Sequence, residues 1–210
     1  MDPIKVMSID IGIINIGMVF CYLHFPELEK SSKYKNRLLN KEYHFTQNVD
    51  IIDCNRIDIT KMKHSRVKRC ACTLHHERCI PDYLDHFVQE YSEYFESCDI
   101  LLLERQPPVG ITNVQDLLFT KFRHKVLLVS PNTVHKYFGL DSDYSVRKVE
   151  SESIAEKYLS HFKGFIENTR KHDISDSLLL VLYYYKTKVD EQIECMDYEK
   201  GIIDFEQFRF

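Results

Sequence analysis

Three apolar runs in this chain are interrupted, ended or opened by acids. Asp10 lies within VMSIDIGIINIGMVF, Glu104 ends the run in ILLLERQ, and Asp173 and Asp176 open KHDISDSLLLVLYYY. A carboxylate in or at the end of a buried run is costly unless something compensates it. Three such places in one chain point to a shared site that holds a cation. A cation held by carboxylates points in turn to metal-dependent cleavage of phosphodiesters.

The segments between these acids fix a coarse topology. Residues 4–11 and 16–25 read as two strands rich in Ile, Val and Met, with Gly12, Asn15 and Gly17 suited to a tight connection. Residues 26–42 are polar and charged and read as a solvated loop. A third strand over 49–59 would complete an antiparallel meander. Residues 80–97 predict one amphipathic helix, because Ile80, Tyr83, Leu84, Phe87, Val88, Tyr91, Tyr94 and Phe95 fall on one stripe. Ile100 to Leu103 form a short apolar strand, as expected for a central parallel strand reached by a helical crossover. Pro107, Pro108 and Gly110 then break the chain. A helix over 112–124 follows, then a buried strand from Val126 to Val129. SPNTVHKYFG predicts a short helix capped by Ser130 or Asn132 and stopped at Gly139. Helices over 145–160 and 172–187 end the series. This order predicts an α/β fold: a mixed five-stranded sheet flanked by helices.

Geometry is what should bring the acids together. Asp10 lies in the first strand and Glu104 at the C-terminal end of the fourth, and sites in α/β sheets gather at strand ends near a change of strand order. Asp173 and Asp176 are three apart at the start of a helix and share a face. That face continues into Leu179 and Leu180, which would pack the helix on the sheet. Four crowded carboxylates would be shifted upward in pKa if left alone, and two Mg²⁺ ions relieve this. Such a pair activates a water and stabilises a leaving 3′ oxygen. Asp10 is the candidate to bridge both ions; Asp173 and Asp176 could share one, with Glu104 serving the other or orienting the water. Asp173 and Asp176 also suit a helix N-terminus simply through its macrodipole.

Composition fits this chemistry without requiring it. The 210 residues suit one large domain, and 44% hydrophobic with 29% charged residues describes a globular chain. No apolar run approaches the roughly 18–20 residues needed to cross a membrane. The N-terminus lacks the apolar core of a signal peptide, so a cytosolic or nuclear protein is expected. The net charge is −4, but residues 190–210 carry seven acids against two bases, so the other 189 residues sum to +1. Neutralising four site acids would make that body more basic, which is compatible with DNA binding. Seven cysteines without a secretion signal read as reduced thiols.

Residues 60–79 are compositionally distinct. Lys61, Lys63, Arg66, Lys68 and Arg69 occur with no acid among them, a pattern that fits a solvated face or a phosphate track. Cys70, Cys72, His75, His76 and Cys79 follow. Their C-x-C-x2-H-H-x2-C spacing is not a standard structural zinc pattern, and the alternative is a loop whose thiols pack under the next helix. The helix over 112–124 reads as core packing or as a dimer element. The tyrosines at 183–185 read as packing.

Taken in order, these motifs resemble a known family. SIDIGIINIG is similar to the first-strand motif of the ribonuclease H-like superfamily. LLLERQ, including Gln106, resembles the Glu-x-Gln segment of the RuvC-type Holliday junction resolvases, and HDISD resembles their final Asp-x-x-Asp helix. SPNTVHKYFG followed by Lys148 resembles their Pro-x-x-Val-Lys…Lys region, and ERQPP fits the poxvirus branch best. The resemblance covers about residues 4–25 and 98–187. It implies a dimeric, Mg²⁺-dependent endonuclease, with Mn²⁺ as a substitute, that nicks four-way DNA junctions symmetrically. In a virus of that kind it would act in the host cytoplasm on branched replication intermediates. A two-fold junction suits two active sites on a C2 dimer. The resemblance further implies a nuclease domain over residues 1–189 with catalytic acids at Asp10, Glu104, Asp173 and Asp176, while the charge count sets off 190–210 as an acidic tail. Lys136 and Lys148 become candidate phosphate contacts or transition-state stabilisers, Lys148 as a catalytic residue, with a solvated helix residue as the alternative for each. Arg66, Lys68 and Arg69 join them as candidate DNA contacts. The basic segment at 60–79 and the tail have no counterpart in the bacterial pattern. Two other readings use the same residues: a ribonuclease H-type nuclease for RNA–DNA hybrids, and a branched-DNA binding module that has lost catalysis. The four intact acids argue against the last.

Overall fold

The computed structural model describes residues 2–25, 48–61, 78–107 and 112–199. Strands β1 (Ile4–Ile11), β2 (Asn15–Leu23) and β3 (Val49–Asp58) run as a meander into a 3₁₀ turn at Ile59–Lys61. Helices α1 (Ile80–Glu90) and α2 (Ser92–Ser97) cross to β4 (Ile100–Glu104), and α3 (Asn113–Phe122) crosses to β5 (Val126–Val129). Helices α4 (Pro131–Phe138), α5 (Tyr144–Leu159), α6 (Lys163–Ile166) and α7 (Lys171–Glu199) follow. The strands form one sheet in the order β3-β2-β1-β4-β5. β1 pairs antiparallel with β2 and parallel with β4, which makes the sheet mixed as expected.

Both faces of this sheet are covered, so its central strands alternate between two cores rather than between core and solvent. Met7, Ile9, Ile11, Ile16, Met18, Phe20, Leu101 and Leu103 meet α1, α2 and α3 on one face. Val6, Val19, Cys21, Leu23 and Leu102 meet the helices of the C-terminal half on the other. Asp10 and Glu104 continue this second alternation and therefore point to the α7 side. Burying a large aliphatic side chain contributes about 1.5–3 kcal/mol. The wholly buried run Leu178–Leu182 thus fastens α7 firmly across the sheet.

Several expectations shift in detail. The helix expected over 80–97 breaks at Tyr91, and the short α2 lays Tyr94 flat on Phe20 with ring centroids 4.4 Å apart. β5 is an edge strand and only half-buried, with Leu127 43% exposed, because β4 alone flanks it. Helix α7 does not end near residue 187 but runs to Glu199. Past its apolar stripe it is sustained by surface pairs such as Lys188–Glu191 at 2.6 Å, which use acids of the expected tail. Gly17 lies inside β2 rather than in the turn. A Cβ there would stand 1.8 Å from the carbonyl oxygen of Asp173, so its role is to admit the first turn of α7. Val114 and Leu118 of α3 are buried in the core. The tyrosines at 183–185 pack as read, Tyr185 wholly buried with its hydroxyl donating to the His24 carbonyl at 3.2 Å.

Candidate active site

Strand register lines up the site. Ile9 pairs with Leu103, which puts Asp10 and Glu104 side by side one residue further along β1 and β4. Asp10 lies opposite Gly17, and Gly17 opposite Arg56 on β3. A row Glu104–Asp10–Gly17–Arg56 therefore crosses four strands on the face covered by α7. The first turn of α7 stands over the bare backbone of Gly17, between Asp10 and Arg56.

Two buried serines hold this helix in place. Ser8 Oγ donates to the Ser177 carbonyl at 2.8 Å, and Ser177 Oγ donates to the Ser8 carbonyl at 2.9 Å. Ser8 is two residues from Asp10 and Ser177 adjoins Asp176, so the clasp fixes the separation of the two acids. Glu104 is oriented from its other side. Gln106 Nε2 donates to Glu104 Oε2 at 2.8 Å and to the Ile11 carbonyl at 3.2 Å. The Gln106 backbone N–H donates to Oε1 of the buried Gln115 at 2.7 Å.

Asp10, Glu104 and Asp176 line one small cleft, open to solvent, with Pro131, Val134, His135, Leu179 and Leu180. Burial, the neighbouring Glu104 and Asp176 charges and a hydrogen bond with Glu104 push the Asp10 carboxyl well above the usual carboxylate range. Burial also raises Glu104, against the hydrogen bonds from Asp10 and Gln106. Lys148 on α5 reaches the same mouth, its Nζ 3.2 Å from Asp176 Oδ2. Burial would lower this ammonium, but Asp176 and Asp10 hold it above its ordinary value. His135 on α4 is lowered by burial and by the Arg147 and Lys148 charges, which favours the neutral imidazole.

Asp173 takes a different direction from the one expected. It does not line the cleft. Its Oδ2 accepts from Arg56 Nε at 2.7 Å, its Oδ1 lies 3.1 Å from His172 Nε2, and Arg170 Nε stands 3.8 Å away. Lys136 is exposed on α4, away from these contacts. Arg66, Lys68, Arg69, Cys70, Cys72, His75 and His76 lie outside the described residues, and Cys79 is exposed at the start of α1.

The donor atoms are carboxylate oxygens, the kind a hard divalent cation takes. Three carboxylates face one opening, and burial and mutual repulsion raise Asp10 and Glu104 above their ordinary values. Among the described residues no group of three or more His, Cys, Asp or Glu side chains is disposed to hold a metal ion by itself. Mg²⁺ does not need one, since it uses one or two carboxylates together with water and phosphate oxygens. Arg56, His135, Gln115, Ser8 and Ser177 were not singled out from sequence. Each acts through pairing register or helix placement, and only His135 carries a local signal, within SPNTVHKYFG beside Lys136.

No protein-family model matches the chain, and no curated protein matches it either. Solved structures do. A fowlpox virus resolvase in complex with its substrate Holliday junction DNA superposes with a TM-score of 0.56 at 16% identity, over 89% of this chain and 99% of that one. The yeast mitochondrial Holliday junction resolvase superposes with a TM-score of 0.54 at 15% identity, over 93% of this chain and 84% of that one. The mixed five-stranded sheet with helices on both faces is thus the fold of the Holliday junction resolvases.

Proposed function

We propose that this protein is a Holliday junction resolvase: a metal-dependent endodeoxyribonuclease that places paired symmetric nicks in four-way and branched DNA. The observation that carries this reading is the convergence of Asp10, Glu104 and Asp176 with Lys148 at one open mouth. The site sits in a sheet shared with a resolvase solved on its junction substrate.

Asp10 sits between the other acids and is the residue best placed to serve two cations. Glu104, steered by Gln106, serves one of them or orients the attacking water. Asp176 supplies the other wall, with Asp173 next to it in sequence order. Lys148 offers a fixed ammonium to a phosphate oxygen or to charge developing in the transition state. Two Mg²⁺ ions, or Mn²⁺ in their place, would neutralise the carboxylates and stabilise charge on the attacking and leaving oxygens. Lys136, Arg66, Lys68 and Arg69 are proposed DNA contacts flanking this centre. A C2 homodimer would match the two-fold junction with two such sites. By the poxvirus-like motif, its task would be the resolution of viral replication intermediates in the host cytoplasm.

The test is cleavage of a labelled synthetic four-way junction with Mg²⁺, beside linear duplex, a Y-fork and an RNA–DNA hybrid. Paired nicks in the junction alone, lost in EDTA and in Asp10→Asn while binding persists, are the expected result. Preferential hybrid cleavage would make the protein a ribonuclease H-type nuclease. Tight junction binding without cleavage of any substrate would leave a binding protein.

A further inference from the structure

We propose that Arg56 is a positioning residue that keeps Asp173 turned away from the other acids until a phosphate of bound DNA takes its place. The inference rests on the cation-site reading above and concerns how that site is completed.

The sheet gives Asp173 two places to go. Its backbone stands on Gly17, and Gly17 lies between Asp10 on β1 and Arg56 on β3. From this midpoint the carboxylate can swing to either neighbour. It takes the Arg56 side at 2.7 Å, whereas Asp176, one turn on, takes the cleft side with Lys148. Arg56 and Asp173 side chains are 20% and 12% exposed, so their pairing is shielded from bulk water without being sealed from it. A partly desolvated guanidinium–carboxylate contact outlasts a surface pair, yet it stays open to exchange with a competing anion.

Phosphate is the anion that competes best. A guanidinium presents five N–H donors in a planar fork matched to phosphate, and Arg56 gives Asp173 only its Nε. β3 also leads into Lys61 at the end of the 3₁₀ turn, and the sequence that follows is a basic run without acids. Arg170, 52% exposed, and His172 also contact Asp173, at 3.8 and 3.1 Å. When Arg56 turns to a phosphate, Asp173 loses its strongest partner and Asp10 lies one strand beyond Gly17. In this scheme DNA-free protein holds cations on Asp10, Glu104 and Asp176 alone, and the fourth carboxylate arrives with substrate.

Two readouts that need no cleavage test this. The first is Mn²⁺ binding to DNA-free protein, read by electron paramagnetic resonance of free Mn²⁺. Arg56→Gln is expected to bind Mn²⁺ roughly tenfold more tightly than wild type, a typical size for coupling between two groups. Adding Asp173→Asn to Arg56→Gln should return the wild-type value, and Asp173→Asn alone should leave it unchanged. That single variant decides the matter even if Arg56→Gln folds poorly. A roughly tenfold loss of DNA-free Mn²⁺ affinity in Asp173→Asn would mean that Asp173 is already a ligand, and would overturn the proposal. The second readout is junction binding in EDTA by fluorescence anisotropy. Arg56→Gln should weaken it and reduce the salt slope by about one, as for a lost phosphate contact. Unchanged binding and slope would equally overturn it. Asp10→Asn separates this from the underlying reading: if it leaves Mn²⁺ affinity untouched, the cation site itself has failed and the latch falls with it. If it abolishes Mn²⁺ binding while Arg56→Gln matches wild type, only the latch has failed.

Discussion

Gly17→Ala offers the sharpest test of how this site is held. The substituted Cβ would lie 1.8 Å from the Asp173 carbonyl oxygen and 2.3 Å from its carbonyl carbon, and real contacts do not fall below 3.0 Å. Both are backbone atoms, so no side-chain rotation relieves the clash. The first turn of α7 must retreat from β2 by roughly 1 Å against a core packed like a crystal. Overpacking of this kind costs about 1–3 kcal/mol, and for a chain of this size each kcal/mol lowers Tm by roughly 2–4 °C. A Tm lower by about 2–12 °C is expected. The same retreat separates Asp176 from Asp10 and Glu104, and a displacement of about 1 Å in a catalytic array reduces rate on the order of 100-fold. Thermal denaturation followed by circular dichroism reads the first effect. Junction cleavage, assayed well below the new Tm, reads the second. Gly139→Ala is the control. Gly139 has φ +66° with open space around it, so the change introduces only about 1–2 kcal/mol of backbone strain, remote from the acids. Wild-type Tm and cleavage in Gly17→Ala would refute the close approach of α7 to β2, and with it the assembly of the acids described above.

The raised Asp10 and Glu104 carboxyls make the metal-free protein lose stability with rising pH. A carboxyl whose pKa is higher folded than unfolded binds more protons in the native state, so its stabilising share is largest in acid and falls as pH climbs through the folded value. Chemical denaturation in EDTA across the range above the ordinary carboxylate pKa should show this decline, flattened in Asp10→Asn; an identical pH profile in the variant would place the titration elsewhere. Ser8→Ala and Ser177→Ala each remove one buried hydrogen bond and should destabilise by about 0.5–1.5 kcal/mol in urea titrations. The double variant should cost less than the sum of the two, and strict additivity would mean the serines do not act as one clasp. Lys148→Ala should reduce the cleavage rate by roughly 10–1,000-fold at saturating Mg²⁺. A rate within twofold of wild type would remove Lys148 from the chemistry.

Much of the fold was legible because hydrophobic spacing is local. The apolar alternation of β1, the short apolar run of β4 and the stripe of residues 80–97 each announce their element without reference to any other. Gly139 similarly announces the end of α4, since only a left-handed residue closes that turn. What spacing could not give was extent and pairing. The stripe of residues 80–97 is continuous in sequence, yet the chain breaks at Tyr91 so that Tyr94 can lie on Phe20. The apolar face of α7 fades near Val189, but ion pairs carry the helix on.

The sequence by itself determined which acids the protein has to reconcile: four carboxylates in three apolar segments, with Lys148 and Gln106 at readable positions beside them. The four carboxylates follow from composition and spacing along single stretches of chain, and Lys148 and Gln106 from the resemblance of their segments to the RuvC-type resolvases. Tertiary structure alone decided how they are disposed. The register of β1 against β2 and β4 sets Glu104 beside Asp10. The same registers put a glycine between Asp10 and Arg56, and the bare backbone there draws α7 onto the sheet. Asp173 and Asp176, alike in sequence and three residues apart, therefore face different partners. Register is a long-range quantity, fixed by the packing of whole faces against one another, and a shift of one residue would turn every one of these side chains to the opposite side.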